Sequence, residues 1–370
     1  MIVILTEDLF SEVNTLPLLA IFQLGMEGRH IIWTKPLRDP SAPSSIDGWL
    51  GSLPAPIQKS VEEVLEFGAE EHVAAGTLRI VVGSDSQPQL ATGWPQVSLV
   101  DGLRLLRTPL TAVLENRRSD RAFLEAITLP EHRPALQKAV ANGWLCFESS
   151  GGITELAKRL EDQHAQEESP SAPKRDAPLC HLRWWCLCDR DSNEPDDFSK
   201  PAKKVEATRK KFQPALPYGP LKRRMIENYL PEAALKLWAE KTNDPDERQR
   251  RKAKLAAWAK LPGSLRERFE MKQGFLWGLP KERKSELKNK PLAKITKAEL
   301  NHALAPQTPD EKTTLEKLHR DKDFLPMLQA GLGDDLSSLF SDEQFQESWL
   351  QSEVPHGERF DLIQSILNRL

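Results

Sequence analysis

The sequence predicts an α/β protein with a small N-terminal α/β domain, a central domain on a parallel sheet, and a helical C-terminal region. Three observations carry this. Between residues 111 and 188, short apolar runs alternate with stretches of helical spacing, the pattern of strands covered on both faces by crossover helices. A weaker alternation of the same kind opens the chain. Beyond residue 221 the strand-like runs stop, and Lys, Glu, Leu and Ala recur at helical spacing.

Residues 2–5 read as a strand, 10–25 as a helix and 30–33 as a second strand. A Pro/Ser-rich stretch at 36–56 follows, then a helix near 61–67 and a strand at 78–82. This first domain, residues 1–105, carries no catalytic motif and its role is not readable from the sequence; recognising a partner or forming a homodimer is the expectation for a domain without chemistry of its own. The central domain, 106–240, then reads strand, helix, strand, helix, strand: TAVLE, DRAFLEAI, WLCFE, ITELAKRL and LRWWCLC. The polar stretch QHAQEESPSAPKRDAP, residues 163–178, is expected to be an exposed loop. In the region 241–370 helices are expected to break at 244–245, 261–263, 279–280 and 306–309, where prolines fall. No period of 20 to 50 residues recurs, which argues against a solenoid.

A chain of 370 residues, 39% hydrophobic and 28% charged, is long enough for two or three cores. Its apolar runs are far shorter than a bilayer span and it opens without a secretory signal pattern, so a cytoplasmic location away from the membrane is expected. Of four cysteines, Cys180, Cys186 and Cys188 lie close together beside His181. Such a cluster is a candidate zinc site. Alternate residues of one buried strand explain Cys186 and Cys188 better.

The net charge of −3 conceals an asymmetry. Residues 200–299 hold 27 Lys and Arg against 12 Asp and Glu, a balance of +15 that leaves −18 for the remainder. A basic region beside an acidic one favours a phosphate-rich partner such as nucleic acid; solvated helix faces are the plainer alternative.

Glu115 ends the first strand of the central unit, and Asp189 and Asp191 follow its third. In a parallel sheet with right-handed crossovers the carboxyl ends of neighbouring strands share one edge, where these side chains can converge. Converging carboxylates suit hard cations such as Mg²⁺. An Asp-x-Asp pair alone is weak, since turns and helix caps use the same residues.

The ordered set is more specific. VLENRRSDRAFLEAI resembles the glutamate motif of Toprim domains, WLCFESSGGITEL their second strand with its small-residue turn, and CLCDRDS their Asp-x-Asp motif. KRRMIENYLP and FEMKQGF are similar to segments of the nuclease branch typified by the overcoming-lysogenization-defect family. The resemblance spans roughly residues 105–278. It implies a Rossmann-like Toprim domain whose metal ligands are Glu115, Asp189 and Asp191, with Asp120 and Glu227 as further carboxylates and Mg²⁺ or Mn²⁺ as cofactor. Glu115 would double as general base, and Lys272 would stabilise the charge of the reacting phosphate. Ser149, Gly151 and Gly152 would form the turn beside the metals. Lys222, Arg223 and Arg224 are assigned to contacts with DNA or RNA. Two departures bear on Asp120: Asn116 stands where the family has Gly after the glutamate, and the helix aspartate comes one residue late.

Several classes are disfavoured. A topoisomerase needs a nucleophilic tyrosine and a larger clamp, and only Tyr218 and Tyr229 are present. The Cys/His spacing suits no primase zinc domain. Neither a Gly-x-Ser-x-Gly elbow nor a P-loop occurs, so no ATP site is expected in this chain. The resembled nucleases commonly carry an ATPase in the same chain. By that analogy this protein would be a stand-alone effector of anti-phage defence, with a separate ATPase or sensor as partner. The competing class is an inactive Toprim-fold scaffold that grips nucleic acid or a protein. The ten tryptophans are assigned to packing rather than to base stacking.

Overall fold

A computed structural model describes residues 1–34, 45–70, 76–84, 88–90, 93–168, 179–192, 194, 197–276, 279–289, 295–321 and 324–370. The first sheet is built from β1 (Ile2–Leu5), β2 (Ile31–Thr34), β3 (Arg79–Gly83) and β4 (Gln96–Ser98), all parallel and ordered β2-β1-β3-β4. Its helices are α1 (Thr15–Met26), α2 (Ser45–Gly51), α3 (Ala55–Glu70) and α4 (Leu99–Arg107). Every residue of β1 is buried, as a central parallel strand covered on both faces requires. Val3, Ile21, Phe22, Ile32, Val61 and Ile80 share one core.

The second sheet comprises β5 (Leu110–Leu114), β6 (Leu145–Ser149), β7 (Trp184–Cys188) and β8 (Tyr218–Pro220). It is also parallel, ordered β6-β5-β7-β8, so both sheets place their second strand outside the first before the chain crosses to the other side. The crossings run through α5 (Arg117–Ile127), α6 (Arg133–Ala141), α7 (Ile153–Glu168) and α8 (Lys200–Arg209). The direction of winding reverses between β5 and β7. At such a point an open α/β sheet leaves a crevice at its carboxyl edge.

Side chains alternate across this sheet with the two-residue period of strands. Leu110, Ala112, Leu114, Trp185 and Leu187 face a core that continues into the C-terminal helices through Trp238, Phe269 and Ile363. Val113, Cys186 and Cys188 face the opposite core with Leu156, Leu160 and Val205. Both cysteines are therefore apolar core residues, and burial pushes the Cys186 thiol up to about 12.

Three local expectations are corrected. The first long helix starts at Thr15 rather than at 10, after single turns at Glu7–Leu9 and Glu12–Asn14. Pro17 lacks the N–H of a helix interior and fits only a first turn. Residues 163–168, read as loop, continue α7: Gln163 Nε2 donates to Glu167 Oε1 at 3.0 Å, and the His164 ring meets Phe212 edge-on. The rest of that stretch, 169–178, lies outside the described residues. Of the Pro/Ser-rich segment, residues 36–44 also lie outside them, and the described part forms α2 and the start of α3.

Beyond Pro220 the described residues contain no strand. The prolines start helices as well as ending them. Pro245 follows the N-cap Asp244, and Pro309 follows Thr308, whose hydroxyl and Glu311 form a capping box. The last helix, His356–Leu367, returns to the second sheet, where Trp185 Nε1 donates to Ser365 Oγ at 2.9 Å. Among the described residues no helix is long and apolar enough to cross a membrane.

Candidate metal centre

Glu115 leaves β5 and Asp189 leaves β7 at the reversal of winding, the two strands being direct neighbours. The Asp189 backbone N–H faces the Glu115 carboxylate and favours its charged form. Burial, with the charges of Asp191 and Asp120, lifts Glu115 to about 7 against that N–H and Lys272. Asp189 Oδ1 accepts from the Ile226 N–H at 3.1 Å, where a short 3-10 turn, Ile226–Tyr229, begins. Burial drives Asp189 well above the usual carboxylate range, and Glu115, Glu227, Asp191 and Asp120 push it further.

Asp191 takes a left-handed backbone with φ of 50°, a conformation aspartate tolerates better than most residues. Its N–H and that of Arg190 both donate to the Arg224 carbonyl, at 3.1 and 2.9 Å. Burial raises Asp191, opposed by Arg224 and Lys272. Asp120 sits in the first turns of α5, buried, and accepts the Asn116 N–H at 2.8 Å and the Ser119 hydroxyl at 3.3 Å. Burial still lifts it to about 6, with a contribution from Glu227. Asp120 is thus both a helix-start residue and a neighbour of the acidic edge.

Glu227 is fully buried in the 3-10 turn. Lys272 Nζ lies 3.0 Å from its Oε1, and neither Glu227 oxygen has a well-directed hydrogen bond among the described residues. Burial works against the Lys272 ammonium, but Glu227, Asp189 and Glu270 outweigh it and raise its pKa.

Glu270 has no place in the sequence reading, yet it completes the electrostatics. It pairs with Arg224 at 2.9 Å, the side chains 5% and 0% exposed. Two residues of separation from Lys272 in FEMK gave no sign that Glu270 faces Arg224 across the chain. Burial raises Glu270, with Arg224 opposing. Arg224 also donates to the Arg268 carbonyl at 3.4 Å.

Burial corrects the assignment of Arg223 and Arg224 to nucleic acid and leaves that of Lys222 as it stands. Arg223 is buried, donating to the carbonyls of Asn228 and Glu353 and lying 4.9 Å above the Tyr229 ring. Of the three, only Lys222 is exposed. The basic run reads alike in sequence whether its side chains turn outward or hold a buried turn together.

Ser149, Gly151 and Gly152 form a turn against Glu115. The Ser149 hydroxyl and the Gly152 N–H both donate to the Glu115 carbonyl, at 3.3 and 3.2 Å. Gly151 and Gly152 have φ of 83° and 117°, which L side chains rarely adopt.

Among the described residues, no three His, Cys, Asp or Glu side chains are grouped so that they could hold a metal ion. What the acidic edge offers a hard cation is unpartnered carboxylate oxygen. Glu115 Oε2 and Glu227 Oε2 are buried without hydrogen-bond partners among the described residues. Like charges raise one another here, and a divalent cation is the counter-charge such oxygen donors accept. Comparison with protein-family models, curated proteins and solved structures gave no match.

Proposed function

We propose that the chain is a magnesium- or manganese-dependent nuclease of the Toprim type, cleaving phosphodiester bonds of DNA or RNA. The observation that carries the reading is the set of mutually raised carboxylates at the switch point between β5 and β7, with the orphaned Glu115 oxygen among them. Glu115, Asp189 and Asp191 would hold the cation, with Asp120 and Glu227 behind them. A bound divalent cation supplies Lewis-acid stabilisation of phosphate oxygens. Glu115 would also take the proton of the attacking water, the role the resemblance implies for it. Lys272 keeps its charge and offsets the negative charge that develops on the phosphate.

The resemblance to the overcoming-lysogenization-defect nucleases extends this to an effector of anti-phage defence acting with a separate ATPase or sensor. One observation favours the second reading, a non-catalytic scaffold: among the described residues no three of these side chains are grouped so that they could hold a metal ion. Purified protein incubated with plasmid DNA, and separately with total tRNA, distinguishes them. Cleavage in Mg²⁺ or Mn²⁺ and none in EDTA supports the nuclease and names its substrate. Cleavage of neither, with no metal-induced thermal stabilisation, favours the scaffold.

A further inference from the structure

A cleft of about 680 Å³ opens beside the acidic edge, lined by Arg117, Arg118, Arg121, Glu125, Ser149 and Ser341 among others. Three arginines crowd the first turns of α5, directly after Glu115. Arg117 and Arg118 are exposed, and their guanidinium groups have no ion-pair or hydrogen-bond partner among the described residues. Arg121 is placed by the Phe147 ring, 5.3 Å away, and by Glu125 at 2.8 Å. Ser149 joins cleft and acidic edge, because it lines the first while its hydroxyl donates to the Glu115 carbonyl. Ser341, the last residue of the 3-10 segment Leu336–Ser341, also lines the cleft, so the C-terminal region contributes to it alongside the second sheet.

An edge rich in carboxylates repels a polyanion, so a strand that reaches it must be held by cations close by. The exposed Arg117 and Arg118 meet that need, whereas the buried Arg223 and Arg224 do not. We propose that this cleft carries the phosphodiester backbone of the nucleic-acid strand next to the acidic edge, with Arg117 and Arg118 as its phosphate contacts. Guanidinium forks bind phosphate oxygens without reading bases, so the grip is independent of sequence. The inference rests on the nuclease reading for its substrate class but concerns binding, which is measured apart from cleavage.

The test is fluorescence anisotropy of labelled single-stranded and duplex DNA oligonucleotides in EDTA across a salt series, with cleavage in Mg²⁺ followed separately. Arg117→Glu/Arg118→Glu is expected to weaken binding about ten-fold or more, and Arg117→Gln/Arg118→Gln less. The slope of log affinity against log salt should flatten by roughly 0.7 for each lost contact to a single strand. Lys312→Glu, an exposed position of the helix Pro309–Arg320 outside the cleft lining, should bind as well as wild type. Arginine-dependent binding by a wild type that cleaves nothing would support the cleft and count against the nuclease. Wild-type binding and salt slope in the double charge reversal would overturn the cleft, and cleavage by that same variant would leave the nuclease standing.

Discussion

Lys272 and Glu227 form an ion pair, 3.0 Å from Nζ to Oε1, between a lysine side chain 36% exposed and a carboxylate 1% exposed. The asymmetry makes the lysine the accessible partner and the glutamate the one that depends on it. Lys272→Ala leaves the Glu227 charge buried and uncompensated. The expected loss, discounted for the part-exposed lysine, is about 1–3 kcal/mol in denaturant unfolding. Glu227→Gln in the same chain should restore most of it without restoring cleavage. A Lys272→Ala protein as stable as wild type would show that the pair has no structural role.

In the metal-free protein Glu115 keeps its proton to about pH 7, against 4.5 for the unperturbed group. The native state therefore binds more protons than the unfolded chain across that interval. The stability linked to Glu115 is full below about pH 4.5 and is lost as pH rises through about 7. Glu115→Gln removes this dependence. Its Tm in EDTA should exceed that of wild type by more at about pH 8 than at about pH 5, and equal gaps at both would contradict the linkage.

Arg224 and Glu270 are nearly inaccessible, so Arg224→Ala strands a buried carboxylate beside Asp191. About 3–5 kcal/mol of stability should be lost. Lys222→Ala, at an exposed neighbouring position, should change stability by no more than about 0.5 kcal/mol. Unfolding curves for both variants decide whether this basic run is a structural clasp, and equal small effects would argue that it is not.

Gly152 combines φ of 117° with a hydrogen bond from its N–H to the Glu115 carbonyl. A Cβ would meet open space, so the penalty in Gly152→Ala is one of backbone alone. A cost of roughly 1–3 kcal/mol is expected, with cleavage reduced as the turn shifts against Glu115. An alanine variant with unchanged unfolding and unchanged cleavage would detach the turn from the site.

The parallel sheets were legible where strands were long and apolar. TAVLE and LRWWCLC stand out as β5 and β7, and the acids that follow them fall at one edge because neighbouring parallel strands end together. The three-residue strands Gln96–Ser98 and Tyr218–Pro220 gave too short a pattern to read. Pairings distant in sequence were equally hidden. Nothing local to Arg224 or Glu270 announces that they meet, and nothing in RRM distinguishes a buried arginine from an exposed one. In NRRSDRAF the arginines at 117, 118 and 121 were in view, but their shared cleft depends on Ser341, far along the chain. Burial and partner geometry, rather than residue type, separated the structural basic residues from the available ones.

Titration of metal-free protein with Mn²⁺, followed by the loss of the free-ion paramagnetic resonance signal, tests the central claim most directly. Saturable binding by wild type, abolished in Asp189→Asn and Glu115→Gln and kept in Arg117→Gln/Arg118→Gln, is the expected result. No saturable binding, or binding unchanged by both carboxylate substitutions, would contradict a cation site at the edge between β5 and β7.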